Sequence, residues 1–520
     1  MTEPRHDLLR EPLIRLRSAD GATVAATLPG VLARLGTDDV IAFPGLQPHQ
    51  FHAWYAFLVQ LAALASHRAG EAAPRATEEA WAARLSALVG GRREPWMLVV
   101  PDLALPAFFQ PPVPEGTLTG FKAPTRHPDA LDVLVTAKNH DVKMARVAAP
   151  SPEHWVYALV SLQTTQGFSG RDNYGVVRMN GGFGSRPCVA FAPGPHWGPR
   201  FRRDVEILLG DRPRLLAGGY GYPPEGGLAL LWLEPWDGLT AIPIQRCDPF
   251  FLEVCRRVRL QEGDGGIVAR TAPSRVKRIA AAEDTGDTGD PWTPIRLSDG
   301  AALTLDGSGF TYRRLHQLLF GGEYRLGAAA QVRPTDGDAL LLVARAMVRG
   351  QGRTEGLHER AVPVPAHIRY RLGQPEARDA LAALARRHVE QTATVDRKVL
   401  HPALCALLQG GPETIDFRDD RTRRWRDGFD AAVNQRFFEK LWEHAEIEDG
   451  LEAERRWAEL LRELALAQLE DAVRSAPVPA TRRYRAVAAA ERVFHGALRK
   501  HFPHLYLRSE RSTDEPVSRA

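Results

Sequence analysis

Between Gln166 and Pro187 the chain reads QGFSGRDNYGVVRMNGGFGSRP, where six glycines are interleaved with three arginines, three aromatic rings and amide side chains. Glycine lets the backbone take positive φ and lets another molecule approach closely, and in a strand it costs stability. Arg171, Arg178 and Arg186 place positive charge on the same stretch. These residue types make a backbone-contact surface suited to a polyanion. Their N–H groups can reach a minor groove, whose degenerate hydrogen-bond pattern suits permissive readout. The plainer reading of the same residues is an irregular surface loop.

Three further segments carry candidate chemistry. In Lys138-Asn139-His140-Asp141-Val142-Lys143, the asparagine can pair with a base edge while the lysines neutralise phosphates. The alternatives are a polar capped loop, or a metal-dependent nuclease or hydrolase using His140, Asp141 and His154. Arg270, Arg275, Lys277 and Arg278 form a basic segment, equally readable as a solvated edge strand. Arg349-Gly350-Gln351-Gly352-Arg353 is a glycine-flanked turn with one amide between two arginines. As a hairpin tip it projects Gln351 outward. Cys247 and Cys255 have no second ligand pair at zinc spacing, so buried thiols and no metal are expected.

Several enzyme classes lose their signatures. The sequence holds no Gly-Lys dipeptide, hence no P-loop, and no HExxH, GxSxG or CxxC. No catalytic residue and no cofactor are expected. The net charge is +4 over 520 residues, so nucleic-acid binding has to come from local patches. Only seven of the 67 basic residues are lysine, and three of those (Lys138, Lys143, Lys277) fall in the segments above. Four scattered cysteines predict reduced thiols. Apolar runs such as AWYAFLVQLAALA from Ala53 stop short of the roughly 20 residues of a membrane span. Arg5, Asp7, Arg10 and Glu11 interrupt any apolar leader, and a cytoplasmic setting is expected.

The elements that must position these residues follow from patterning. Thr23 to Leu35 and His49 to Ser66 read as helices, and Ser151-Pro152-Glu153 opens another that delivers the chain into the glycine-rich stretch. Trp96 to Val100 and Leu131 to Val135 read as buried strands, Leu228 to Leu233 and Ala339 to Val348 as strands or short helices, and Ala281 to Pro291 as an acidic surface loop. After Arg371 glycine and proline thin out. Amphipathic patterns cover Glu376 to Gln391, Val395 to Leu408, Arg421 to Ala445, Leu451 to Ser475 and Thr481 to Phe502, predicting an antiparallel bundle. The fold class is therefore α+β. A mixed N-terminal domain spans 1–371, a helical bundle 372–510 and a frayed tail 511–520.

Taken in order, these segments resemble the CasA family, the large subunit of the type I-E CRISPR Cascade surveillance complex. Leu8 to Ile14 looks like the family's N-terminal start, departing from it where tryptophan and proline are usual. Gly167-Phe168-Ser169-Gly170 looks like the glycine loop that contacts the protospacer-adjacent motif (PAM) from the minor groove. Asn139 matches the asparagine of the first DNA-contacting loop, Lys277 the lysine finger and Gln351 the glutamine wedge that starts strand separation. The cysteine-rich segment is reduced here to Cys247 and Cys255. The resemblance implies a non-catalytic subunit partnered by double-stranded target DNA, guide RNA, the other Cascade subunits (backbone, small and guide-end) and a helicase-nuclease. Lys138, Lys143, Arg171, Arg275, Arg278, Arg349 and Arg353 become supporting phosphate contacts. A pure RNA-binding scaffold is the other non-enzymatic reading.

Overall fold

The computed structural model describes residues 3–71, 74–132, 147–281, 283, 285–350 and 353–506, with backbone alone at 350, 353 and 354. The chain divides into two units, Met1–Phe310 with Gln317–Arg369, and Thr311–His316 with Tyr370–Ala520.

The first unit is mixed. Its central helix, Phe51–Arg68, is buried at every position from His52 to Ser66, because its apolar residues cover all faces and leave none for solvent. The helices Pro152–Thr165 and Trp197–Ala217 and the strand Cys247–Leu252 pack around it. Trp54, Phe57, Tyr157, Phe108, Phe109 and Trp232 fill the space between, ring against ring. Such pairs add roughly 0.5–1.5 kcal/mol each beyond the area they bury.

The strands form small sheets at the rim of this core. The largest has Leu340–Gly350 in the centre, antiparallel both to Arg353–Val364 and to Cys188–Ala192. Its register runs from Leu340↔Val364 to Gly350↔Arg353, with an irregularity at Val348/Arg349. A strand of 11 residues reaches about 35 Å. The two long strands therefore extend the sheet well beyond Cys188–Ala192, which pairs only with Leu341 to Arg345.

Three sequence expectations differ from the structure. Thr23 to Leu35 splits into a strand, Thr23–Ala26, and a helix, Leu28–Gly36. Thr27 decides this, because its Oγ1 accepts the Gly30 N–H at 2.9 Å and starts the helix at the residue before Pro29. Thr23–Ala26 then pairs with Ile14–Arg17. Leu131 and Asp132 belong to a one-turn helix, Asp129–Asp132, and not to a strand; positions 133–135 lie outside the described residues. The Ala281 to Pro291 segment is not wholly a surface loop, since Thr288 and Asp290 are buried.

The second unit is helical. Pro375–Thr394 runs through a wide π-type turn, Val395–Leu400, into His401–Leu408. Pro402 lacks the N–H that a regular α turn needs there, which accounts for the widening. Arg423–His444, Gly450–Ser475 and Ala480–His501 complete the bundle around Phe429, Phe437, Trp457, Leu461 and Phe494. No described helix is long and apolar enough to cross a membrane.

Candidate nucleic-acid interface

The glycine-rich stretch folds on itself before it can meet anything else. Gly167 N–H donates to the Gly184 carbonyl at 2.9 Å, Phe168 N–H to Gly182 at 3.1 Å, and Val176 N–H to Gln166 at 2.9 Å. Three backbone segments thus lie against one another. A Cβ on Gly167 would sit 2.6 Å from the Gly182 oxygen, and one on Gly175 would sit 2.5 Å from the Gly167 carbonyl carbon. Most of these glycines are required by the chain's own close packing. Gly170 and Gly181 differ. Both have positive φ, +114° and +78°. Gly181 is exposed, and nothing lies within 4 Å of the Gly170 Cβ position.

The arginines sort in the same way. Arg178 is buried, 3.1 Å from Glu253 and with its guanidinium 3.7 Å from the centre of the Phe251 ring. Arg186 is fully buried in a two-pronged pair with Asp290. Burial pushes the Glu253 carboxyl up to about 7 even with Arg178 beside it. Burial acts on Asp290 in the same direction, but Arg186 outweighs it and holds that carboxyl at about 2. Only Arg171 of the three is exposed. Arg178 and Arg186 therefore brace the stretch from behind and are not available to an outside polyanion.

Arg256 is a brace that sequence reading missed. Its buried guanidinium donates to the Gly167 carbonyl at 3.0 Å and to Ser169 Oγ at 3.2 Å. Gln163, on the helix leading into the loop, accepts the Cys255 and Arg256 N–H groups at 2.9 and 2.8 Å. One buried cation and one buried amide set the height of Gly167 to Ser169. No local motif marks either residue.

Other sequence candidates gather on this platform. Lys277 Nζ lies 4.0 Å from the Cβ position of Gly181. Ser274 N–H donates to the Asp172 carbonyl at 3.0 Å, which places exposed Arg275 beside the Arg171 turn. Ser185 N–H donates to the Met347 carbonyl at 3.0 Å and Met347 N–H to Ser185 Oγ at 2.8 Å. The stretch therefore runs along the Leu340–Gly350 strand close to its C-terminal end. Asp132 joins the group, its carbonyl accepting from Gln166 Nε2 at 3.1 Å and from Arg349 at 3.2 Å. Asp129 accepts the Val147 N–H at 3.1 Å. Asp132 is thus held next to the glycine-rich stretch, and Val147 is held to the same short helix, Asp129–Asp132. Lys138, Asn139, Lys143 and Gln351 lie outside the described residues, as does the side chain of Arg353.

Two proposed phosphate contacts turn inward. Arg278 is buried and donates to the carbonyls of Leu231, Glu234 and Pro235. Arg349 is buried against Asp132. Burial pushes each guanidinium down to about 10, and neither offers its charge to a phosphate. Arg171, Arg275 and Lys277 are what remain on the described surface.

No protein-family model matches the sequence, and no curated protein matches it significantly. Solved structures do match. Cse1 from Acidimicrobium ferrooxidans superposes with a TM-score of 0.64 at 17% identity, covering 96% of this chain and 99% of that one. CasA of Thermus thermophilus gives 0.63 at 18% identity over 95% and 100%. A chain of a CRISPR RNA-guided surveillance complex gives 0.58 at 15% identity over 95% and 100%. The chain has the Cse1/CasA fold. Its α+β class, with a helical C-terminal region, is that of the Cse1/CasA structures.

On the Cse1/CasA fold the remaining candidates have structural work. His154 Nδ1 accepts the Ser151 N–H at 3.0 Å and so caps the helix; His140 and Asp141 lie outside the described residues. Cys247 and Cys255 are buried, and Cys255 Sγ lies 3.2 Å from the Leu162 carbonyl. Burial pushes the Cys247 thiol up to about 12, which keeps it protonated. Among the described residues no group of three or more His, Cys, Asp or Glu is placed to hold a metal ion.

Proposed function

We propose that this chain is the large subunit of a type I-E CRISPR Cascade complex, reading the PAM of duplex DNA and starting strand separation. The observation that carries the reading is the convergence of Gly167 to Gly170, Gly181, Lys277 and the base of the Leu340–Val364 hairpin on one braced platform. The full-length agreement with the Cse1/CasA fold supports it.

In this account Arg171, Arg275 and Lys277, with Lys138 and Lys143, neutralise phosphates, a contribution that weakens with salt. Gly170, Asn139 and Lys277 then sample the minor groove, where A·T and T·A look alike and discrimination is tolerant. Gln351 enters the stack at the hairpin tip. Unstacking a step costs on the order of a few kcal/mol, and guide pairing offsets it because the strand exchange is nearly balanced. Cutting falls to a recruited helicase-nuclease. The chain itself supplies recognition.

The test is PAM-duplex binding by the complex reconstituted with guide RNA and the other subunits, over a range of salt. Lys277→Ala should weaken binding and reduce the log–log salt slope by about 1. An unchanged slope and affinity would remove Lys277 from the interface.

A further inference from the structure

We infer that the Asp237–Thr240 loop is a further DNA-contacting element, with Leu239 inserting as an apolar wedge at a base step of the minor groove; this rests on the function proposed above. Leu239 is 63% exposed. A single exposed leucine is ordinary on a protein surface. What sets this one apart is how rigidly it is held and what stands beside it.

Asp237 Oδ1 accepts the N–H groups of Leu239 at 2.8 Å and Thr240 at 3.1 Å, and Oδ2 accepts from Thr240 Oγ1 at 3.4 Å. These bonds fix the turn, and those to the two N–H groups hold the Asp237 carboxyl below its usual range. Gly238 takes φ +83°, and a Cβ there would meet Arg257 Cδ at 3.0 Å and the Pro273 oxygen at 3.3 Å. Trp236, immediately before, is buried beneath the Arg278 guanidinium. The loop thus has little freedom to lay Leu239 back onto the protein.

The Asp237 carboxylate is spent on the loop's own N–H groups, and the exposed charge beside Leu239 is Arg275, part of the proposed interface. The Gly238 carbonyl accepts the Arg275 N–H at 2.7 Å, and the next residue back, Ser274, bonds to Asp172 in the glycine-rich stretch. Leu239 therefore stands beside exposed Arg275, on the segment that also carries Lys277. Minor-groove proteins combine this pairing of basic residues with a rigid apolar side chain, using the cations to hold the backbone and the wedge to part a step. A protein surface would be matched better by a broader apolar patch than by one leucine beside an exposed arginine.

The experiment uses the assembled complex and a PAM duplex carrying a fluorescent base analogue at each step flanking the PAM in turn. Leu239→Ala and Leu239→Ser should assemble normally, keep the salt slope, bind roughly tenfold more weakly and lose the unstacking signal at one step. Leu239→Met should retain both. Alanine and serine variants matching wild type in affinity and signal would overturn the inference. So would loss of assembly with normal DNA binding by the assembled fraction, which would make Leu239 a protein contact. A wild-type complex with no PAM-dependent binding would overturn the proposed function as well.

Discussion

Glycines with the same letter do different work in the loop, and substitution should separate them. Gly167→Ala drives a methyl into the backbone oxygens of Gly182 and Gly184, so a loss of about 1–3 kcal/mol of stability is expected, read as a lowered Tm. Gly170→Ala meets no neighbour and pays only the strain of φ +114°, about 1 kcal/mol. Its loss should appear instead in PAM preference, measured by target-library depletion. Equal Tm losses with unchanged preference would contradict the division. Sequence alone singled out this stretch but could not sort it. Arg171, Arg178 and Arg186 look alike until Glu253 and Asp290, 75 and 104 residues away along the chain, claim the second and third. A separation of 89 residues from Gly167 hid Arg256 in the same way.

Elements were more legible where a period carries the signal. The bundle helices match their amphipathic patterns within a few residues because one face of each must be buried. Leu131 and Asp132, read as the start of a strand, lie in a helical turn, and Thr23–Ala26, read as helix, is a strand, because a short apolar run fits either structure; at Thr27 one capping threonine decides. The bundle also holds a pair that no pattern revealed. His388 Nε2 meets His444 Nδ1 at 2.9 Å, and the His388 ring stacks on Trp457 at 4.7 Å. Burial, then His444 and Arg387, hold His388 well below 6.5, and burial lowers His444, with Lys440 and Arg456 acting the same way against Glu443. Both rings take up a proton less readily in the fold than unfolded, His388 most of all. Their stabilisation is complete above about pH 6.5 and is lost as pH falls below it, by up to about 1.4 kcal/mol per pH unit for each histidine. The urea midpoint should drop between pH 7.5 and 5.5, and His388→Phe should flatten that dependence. Identical slopes in the two proteins would contradict it.

At the scale of the whole molecule, the order of short motifs along the chain pointed to the Cse1/CasA fold that the structure carries. The sequence could not place Lys277 beside Gly181, or run the glycine-rich stretch along the hairpin, because sheet pairing such as Cys188↔Arg345 joins residues far apart. Nor could it foresee that Arg278 and Arg349 are consumed by nearby carbonyls. In the proposed function the platform holds the duplex and Gln351 opens it. Gln351→Ala in the reconstituted complex separates the two roles, with PAM-duplex affinity and R-loop yield measured on the same preparation. Affinity should stay close to wild type while R-loop yield falls severely; equal losses in both, or an unchanged R-loop yield, would rule out a wedge at Gln351.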